Sequence, residues 1–117
     1  MKLAIIGSRT FNNYMLLKET LEQYKPKITL VVSGAAKGAD SLGEKWALEN
    51  QIQTLIFPAK WDEYGKRAGF IRNEDIIKNC DGCIAFWDGV SKGTQHSISL
   101  YEKYNKPIKI KIGRAHV

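Results

Sequence analysis

The sequence is poor in the residues that would commit it to covalent, metal or membrane chemistry. Two cysteines, Cys80 and Cys83, stand among 117 residues, and no second Cys or His pair completes a zinc site. A redox-active Cys-x-x-Cys opens a helix after a strand. This pair instead leads into the apolar run 82–87, so both thiols read as structural. No carboxylate or histidine pair has metal-ligand spacing, so no metal and no cofactor is expected beyond a magnesium carried in by a ligand. No apolar run approaches the ~20 residues of a membrane span. No signal peptide precedes the first apolar segment, the pattern of a cytoplasmic product. Repeats and low-complexity segments are absent.

What is present fits one soluble domain with a single core: 44% of residues are hydrophobic and 26% charged. The net charge of +6 is uneven, because residues 101–117 carry five basic side chains against one acidic. Such an end could hold nucleic acid weakly, yet no aromatic follows Tyr104 to stack on bases. A solvated strand end is the ordinary alternative. Residues 112–117, Ile-Gly-Arg-Ala-His-Val, read as the translation of a common sequencing adapter, which resequencing the 3′ end of the source DNA would test. The single domain is therefore expected at 1–112, with 113–117 as a tail whose native origin rests on that test, and Arg114 and His116 are assigned to no site.

Apolar periodicity alternates between the two regular structures. Strands are expected at 2–7, 28–33, 53–57, 82–87 and 107–112, all rich in Ile, Val, Leu and Phe. Tyr14, Leu17, Leu21 and Tyr24 share a helical face that Pro26 ends. Further helices are expected at about 40–50, 71–79 and 94–104, the first capped by Asp40. Residues 58–70 read as the one long irregular loop, with Trp61 and Tyr64 available to cover a ligand. Helices between strands need crossover connections. The fold class is thus α/β, a Rossmann-like three-layer sandwich around a mostly parallel five-stranded sheet.

Three of the apolar runs end in small-residue turns, where strand ends of such a sheet converge on one crevice. Gly7-Ser8-Arg9 follows the first, and a guanidinium there can take a phosphate bidentately beside the Ser8 hydroxyl. Ser33-Gly34, with Gly38-Ala39-Asp40 beyond, follows the second. It is neither a Walker loop nor a Gly-x-Gly-x-x-Gly, but it can still form a tight phosphate turn. Asp88-Gly89, then Ser91-Lys92-Gly93-Thr94, follows the fourth strand, and the backbone N–H groups of 91–94 with the Thr94 hydroxyl can cradle a phosphate. Arg72-Asn73 is expected to open a helix whose N-terminus favours anions. His96 reads as a helix-surface residue, since a general acid or base would need a partner carboxylate.

Together GSRTF (7–11), SGAAKGAD (33–40), FPAKWDEYGKRAGFIRN (57–73) and FWDGVSKGT (86–94) resemble the YspA/cpYpsA-related branch of the SLOG superfamily. That superfamily groups the DNA-processing protein DprA with the cytokinin-activating LOG enzymes. The resemblance implies bacterial or phage proteins that sense or process nucleotide-derived molecules, often as dimers. It also implies that Gly7, Ser8 and Arg9 form one wall of the site, Ser33, Gly34, Gly38 and Asp40 a second, and that Arg72 and Asn73 contribute from a helix. Gly89, Ser91, Gly93 and Thr94 match the phosphate-binding Gly-Gly-x-Gly-Thr loop of LOG enzymes.

LOG enzymes use an arginine and a glutamate to cleave the N-glycosidic bond of a nucleoside monophosphate. Arg72 stands where that arginine would be, but the glutamate is His96 here and the glycine pair is broken to Gly89-Val90. A neutral imidazole cannot supply the fixed negative charge that stabilises an oxocarbenium-like centre. The expected function is therefore binding of a nucleotide or nucleotide-derived ligand, with Trp61 or Tyr64 over the base. One alternative is N-glycosidic hydrolysis by Arg72 with Asp40 or His96. The other is single-stranded nucleic-acid binding in the manner of DprA.

Overall fold

The computed structural model describes residues 1–112; the expected tail 113–117 lies outside the described residues. Five strands form the sheet: β1 (Lys2–Gly7), β2 (Leu30–Ser33), β3 (Gln53–Ile56), β4 (Gly82–Trp87) and β5 (Ile108–Ile112). Between them lie α1 (Tyr14–Glu22), α2 (Ala39–Glu49), the single turn α3 (Trp61–Tyr64), α4 (Ala68–Lys78) and α5 (Lys92–Lys103). Every pairing is parallel, in the order β3-β2-β1-β4-β5. The chain winds outward from β1 to β3, then crosses back to β4 and winds out the other way. The loops after β1 and β4 consequently diverge, which opens a crevice above the two central strands.

Period-two alternation sends the buried side chains of the central strands to opposite faces. Leu3, Ile5, Val31 and Phe86 pack with Leu17, Leu21 and Trp46 in one layer. Ala4, Ile6, Val32 and Ala85 pack with Ile76, Ile77, Leu100 and Tyr101 in the other. Cys80 and Cys83 are free thiols buried in that second layer, Cys80 Sγ lying 3.4 Å from Tyr101 Oη. Burial pushes both thiols upward, so the thiolate needed for redox chemistry is disfavoured.

Part of the basic end serves the fold. Lys106 Nζ donates to the carbonyls of Ile77 and Cys80 at 2.5 and 2.8 Å, placing a cation at the end of α4. Lys109 Nζ reaches Tyr24 Oη at 3.0 Å. Among the described residues no helix is long and apolar enough to cross a membrane.

The expected loop 58–70 is the main departure from the sequence reading. It contains α3, a 3-10 turn at Gly65–Arg67 and the first turn of α4, which begins three residues before its expected start. Ala68 buries itself in that first turn, so Gly69 lies inside a helix despite its low propensity.

Gly43 sets the distance between α2 and the sheet. A Cβ there would stand 2.8 Å from Ile5 Cγ2 and 3.0 Å from Ile5 Cβ, a stiff and fully buried partner. Gly43→Ala should therefore destabilise the domain. Overpacking of about 1–3 kcal/mol outweighs the ~1 kcal/mol that alanine contributes to a helix. A urea midpoint above that of the unsubstituted protein would contradict this.

Candidate anion-binding cleft

Two glycines let three loops meet at the top of β1. A Cβ on Gly7 would fall 2.2 Å from Phe86 O and 2.6 Å from Ala39 Cβ. A Cβ on Gly38, whose φ is +79°, would fall 2.2 Å from Ser8 O. Neither position tolerates a side chain, so both glycines are packing devices. Between them Ser8 is buried and ties the loops together. Its N–H donates to Phe86 O at 3.0 Å, its carbonyl accepts from Ala39 N at 3.3 Å, and its Oγ accepts from Asp88 N at 3.0 Å.

Asp40 differs from its expected role. The N-cap of α2 is Gly38, and Asp40 lies in the first turn, 5% exposed, with its carboxylate turned back onto the preceding loop. Oδ2 accepts from Gly34 N at 3.1 Å and Ala36 N at 3.4 Å. The side chain thus closes the β2–α2 loop, where Ala35 is held at φ +59°, a conformation that costs a non-glycine residue ~1 kcal/mol or more. Burial raises the Asp40 pKa to about 6, against the opposing pull of Arg72 and the two N–H donors. Ser33 is also fully buried, its hydroxyl donating to Glu44 at 2.6 Å.

Arg72 does not open a helix; it is the fifth residue of α4, because that helix starts at Ala68. Its side chain crosses to the β2–α2 loop, where Nη1 donates to Gly34 O at 2.7 Å, while Nε donates to Asn73 Oδ1 at 3.0 Å. Asn73 Nδ2 in turn lies 3.3 Å from His96 Nδ1, and the His96 ring packs against Phe70 with centroids 4.5 Å apart and the planes tilted by 58°. Since a guanidinium Nε can only donate, Asn73 must turn its oxygen to Arg72 and its NH2 to His96. His96 therefore acts as an acceptor one layer behind Arg72. Burial lowers the Arg72 pKa, opposed by Asp40 and reinforced by the nearby positive charge of Arg9.

The β4–α5 loop already holds an internal anion. The Asp88 carboxylate accepts from Val90 N at 2.9 Å, Ser91 N at 2.8 Å and Ser91 Oγ at 2.8 Å, which brings its pKa down to about 2. Of the expected cradle, the Ser91 donors are thus taken up inside the loop. The N–H groups of residues 92–94 stand in the first turn of α5, where a helix has no internal acceptors for them.

These elements enclose a cleft of about 370 Å³. Gly7, Ser8, Arg9, Asp40, Arg72, Asn73, Ser91, Gly93 and Thr94 border it, as the motif reading anticipated. Ser33, Gly34, Gly38, Gly89 and His96 do not: Ser33 is buried behind its wall, Gly34 borders a neighbouring depression, Gly38 packs against the Ser8 backbone, Gly89 is at an exposed loop tip, and His96 touches it through Asn73. Trp61, 52% exposed, borders a neighbouring depression instead. Thr10, Lys92 and Ser97 border the cleft without having been singled out. Ser97 follows Thr94 at one helical turn and is equally buried, so i, i+3 spacing was the available signal. Glu44 had none, being an ordinary charged residue in mid-helix. Among the described residues no group of three or more His, Cys, Asp or Glu could hold a metal ion.

A parallel α/β sheet with paired cations and a helix start over its switch point defines a Rossmann-like domain of the ligand-binding kind. More narrowly, the model of the YspA, cpYpsA-related SLOG family matches residues 1–64, and the chain belongs to that family. It is 29% identical over 116 residues to the gene 61 protein of Mycobacterium phage D29, covering 92% of this chain and 93% of that one. Its fold is that of DprA from Streptococcus pneumoniae, with a TM-score of 0.78, 20% identity, and 97% of this chain against 51% of that one. DprA from Helicobacter pylori, described for its single-stranded DNA binding mode, gives a TM-score of 0.72 and 24% identity over 99% of this chain and 67% of that one. The chain thus spans about half of the first of these structures.

The buried Asp40 makes stability depend on pH. Folded, the carboxyl keeps its proton up to about pH 6; unfolded, it releases it near 3.8. The folded state binds the proton more tightly, so Asp40's contribution is complete below pH 3.8 and is lost as pH rises to about 6. The loss amounts to about 3 kcal/mol. Asp88 titrates below this window and leaves it clear. Urea unfolding between pH 4 and 6.5 should show Asp40→Asn gaining on the unsubstituted protein as pH rises; a constant difference would refute the assignment.

Proposed function

We propose that the cleft binds a nucleotide or nucleotide-derived ligand through its phosphate. The observation that carries this is the pair of guanidiniums, Arg9 and Arg72, close enough that one lowers the pKa of the other. Both border the same cleft, facing the first turn of α5 and Lys92. Asp40 is the one carboxylate bordering the cleft among the described residues, and its burial works against its ionisation. Like charges held together over a helix start are relieved by an anion, and a phosphate offers oxygens to all of these donors at once. Ile6 and Ile76 give the cleft an apolar floor for the rest of the ligand. Family membership supports a nucleotide-type ligand.

A second reading, hydrolysis of a nucleotide N-glycosidic bond, draws support from Asp40, a buried carboxyl bordering the cleft that keeps its proton to about pH 6. Release of free base from nucleoside monophosphates, lost in Asp40→Asn while binding persists, would select it. Strand binding in the manner described for the Helicobacter DprA would instead appear as salt-sensitive affinity for oligonucleotides.

Mononucleotides should raise the melting temperature without turnover. Arg72→Ala should weaken that binding at least tenfold. Gly93→Asp is the cleaner variant, since a Cβ there meets nothing within 4 Å and the added carboxylate confronts the phosphate. It should keep the fold and abolish the shift. Unchanged shifts in both variants would place binding elsewhere.

A further inference from the structure

Beside the main cleft lies a second depression of about 310 Å³, and three residues, Arg9, Ala36 and Arg72, border both. The two chambers differ in chemistry. The first has the helix start of α5 and the apolar floor. The second is bordered by Trp61, Pro58 and Ala59 from the β3–α3 connection and by Lys37 from the β2–α2 loop. Trp61 is 52% exposed although it is the largest apolar side chain of its segment, and Gly69 leaves the space beside its ring, with Trp61 Cη2 3.5 Å from where a Cβ would be. An exposed indole beside cations is a platform on which an aromatic ring can stack.

We propose that the ligand has two lobes bridged by phosphate, with the bridge at Arg9 and Arg72, one nucleoside over the Ile6–Ile76 floor and a second aromatic group on Trp61. The inference rests on the phosphate-binding reading above and adds to it the class of ligand. Arg72 is suited to the bridge, because Nε and Nη1 are held by Asn73 and Gly34 while no acceptor among the described residues takes Nη2. A single phosphate with one base would fill the first chamber and leave Trp61 and Lys37 without a role. A phosphate-bridged dinucleotide engages both chambers, and a diphosphate bridge also presents charge to Lys37. A longer single strand shares this chemistry at each step, so free dinucleotide and strand must be separated by measurement.

The test compares adenosine monophosphate, the diadenosine 5′,5′-pyrophosphate and a ten-nucleotide oligoadenylate by calorimetry at fixed salt. The same comparison is made with the guanine, cytosine and uracil counterparts. For at least one base the dinucleotide should bind tenfold or more tightly than the monophosphate. Trp61→Ala should remove that advantage and leave the affinity for the monophosphate unchanged. Equal affinities for monophosphate and dinucleotide, or an advantage that survives Trp61→Ala, would overturn the two-lobed ligand while leaving phosphate binding standing. An oligonucleotide more than tenfold tighter than the dinucleotide would overturn it in favour of a strand. Absence of binding by all three probes would defeat the phosphate-binding reading itself, and the two-lobed ligand with it.

Discussion

The junction of β1, β4 and α2 above Gly7 is the constraint on which the cleft depends. Backbone approaches this close are incompatible with any Cβ at Gly7 or Gly38, and they bring Ser8 into the interior with its N–H, carbonyl and hydroxyl all engaged. The three loops that border the site are therefore bonded to one another before any ligand is considered. Polar backbone in the interior costs free energy unless it is paired, and here the pairings of Ser8 join its loop to β4, to the start of α2 and to the β4–α5 loop. The sheet supplies the direction of the loops. The serine supplies their spacing.

Arg72 depends on a second set of contacts that run behind this junction. Its guanidinium is partly buried, near a second arginine, and offset by a carboxyl whose own charge is opposed by burial. What fixes it is hydrogen bonding: Gly34 O on one side and, on the other, an amide oriented by His96. An arginine held this way loses little further rotamer freedom when an anion arrives. His96, lying behind Asn73, serves geometry by accepting from the amide that holds the guanidinium.

The topology was legible because the fold announces itself at two scales. Apolar runs of strand length alternate with helical periodicity, and each central strand ends in Gly or Ser at the place where backbone must approach backbone. Of the expected turn glycines only Gly7 and Gly93 border the cleft, and the reasons for the individual glycines differ. Gly38 and Gly7 pack loops together, and Gly89 only shapes a tip. Residues 58–70 were misread because Gly65, Gly69 and polar side chains mimic a loop, while the burial of Ala68 that makes α4 start early is a tertiary effect. That error put Arg72 at a helix start, whereas it stands in a helix interior. Asp40 was misplaced for a related reason: an aspartate beside a helix start reads as a cap, and only the chain path shows it bonding backward to Gly34 and Ala36. Glu44 was invisible, since nothing in composition distinguishes a helix residue that faces a loop from one that faces water, whereas Ser97 was reachable only through its i, i+3 spacing from Thr94.

Asp88 has a kinetic meaning. By occupying the N–H groups of Val90 and Ser91 with a carboxylate of its own, the β4–α5 loop keeps its shape in the empty protein. Many phosphate loops must order themselves around the incoming anion, and that ordering slows capture and subtracts from affinity. Here the negative charge that shapes the turn is covalently part of the chain, and the donors of residues 92–94 stand ready beyond it. For the anion proposed above, encounter steered by the two arginines would then limit association, and differences in affinity among related ligands would be written in how long each one stays.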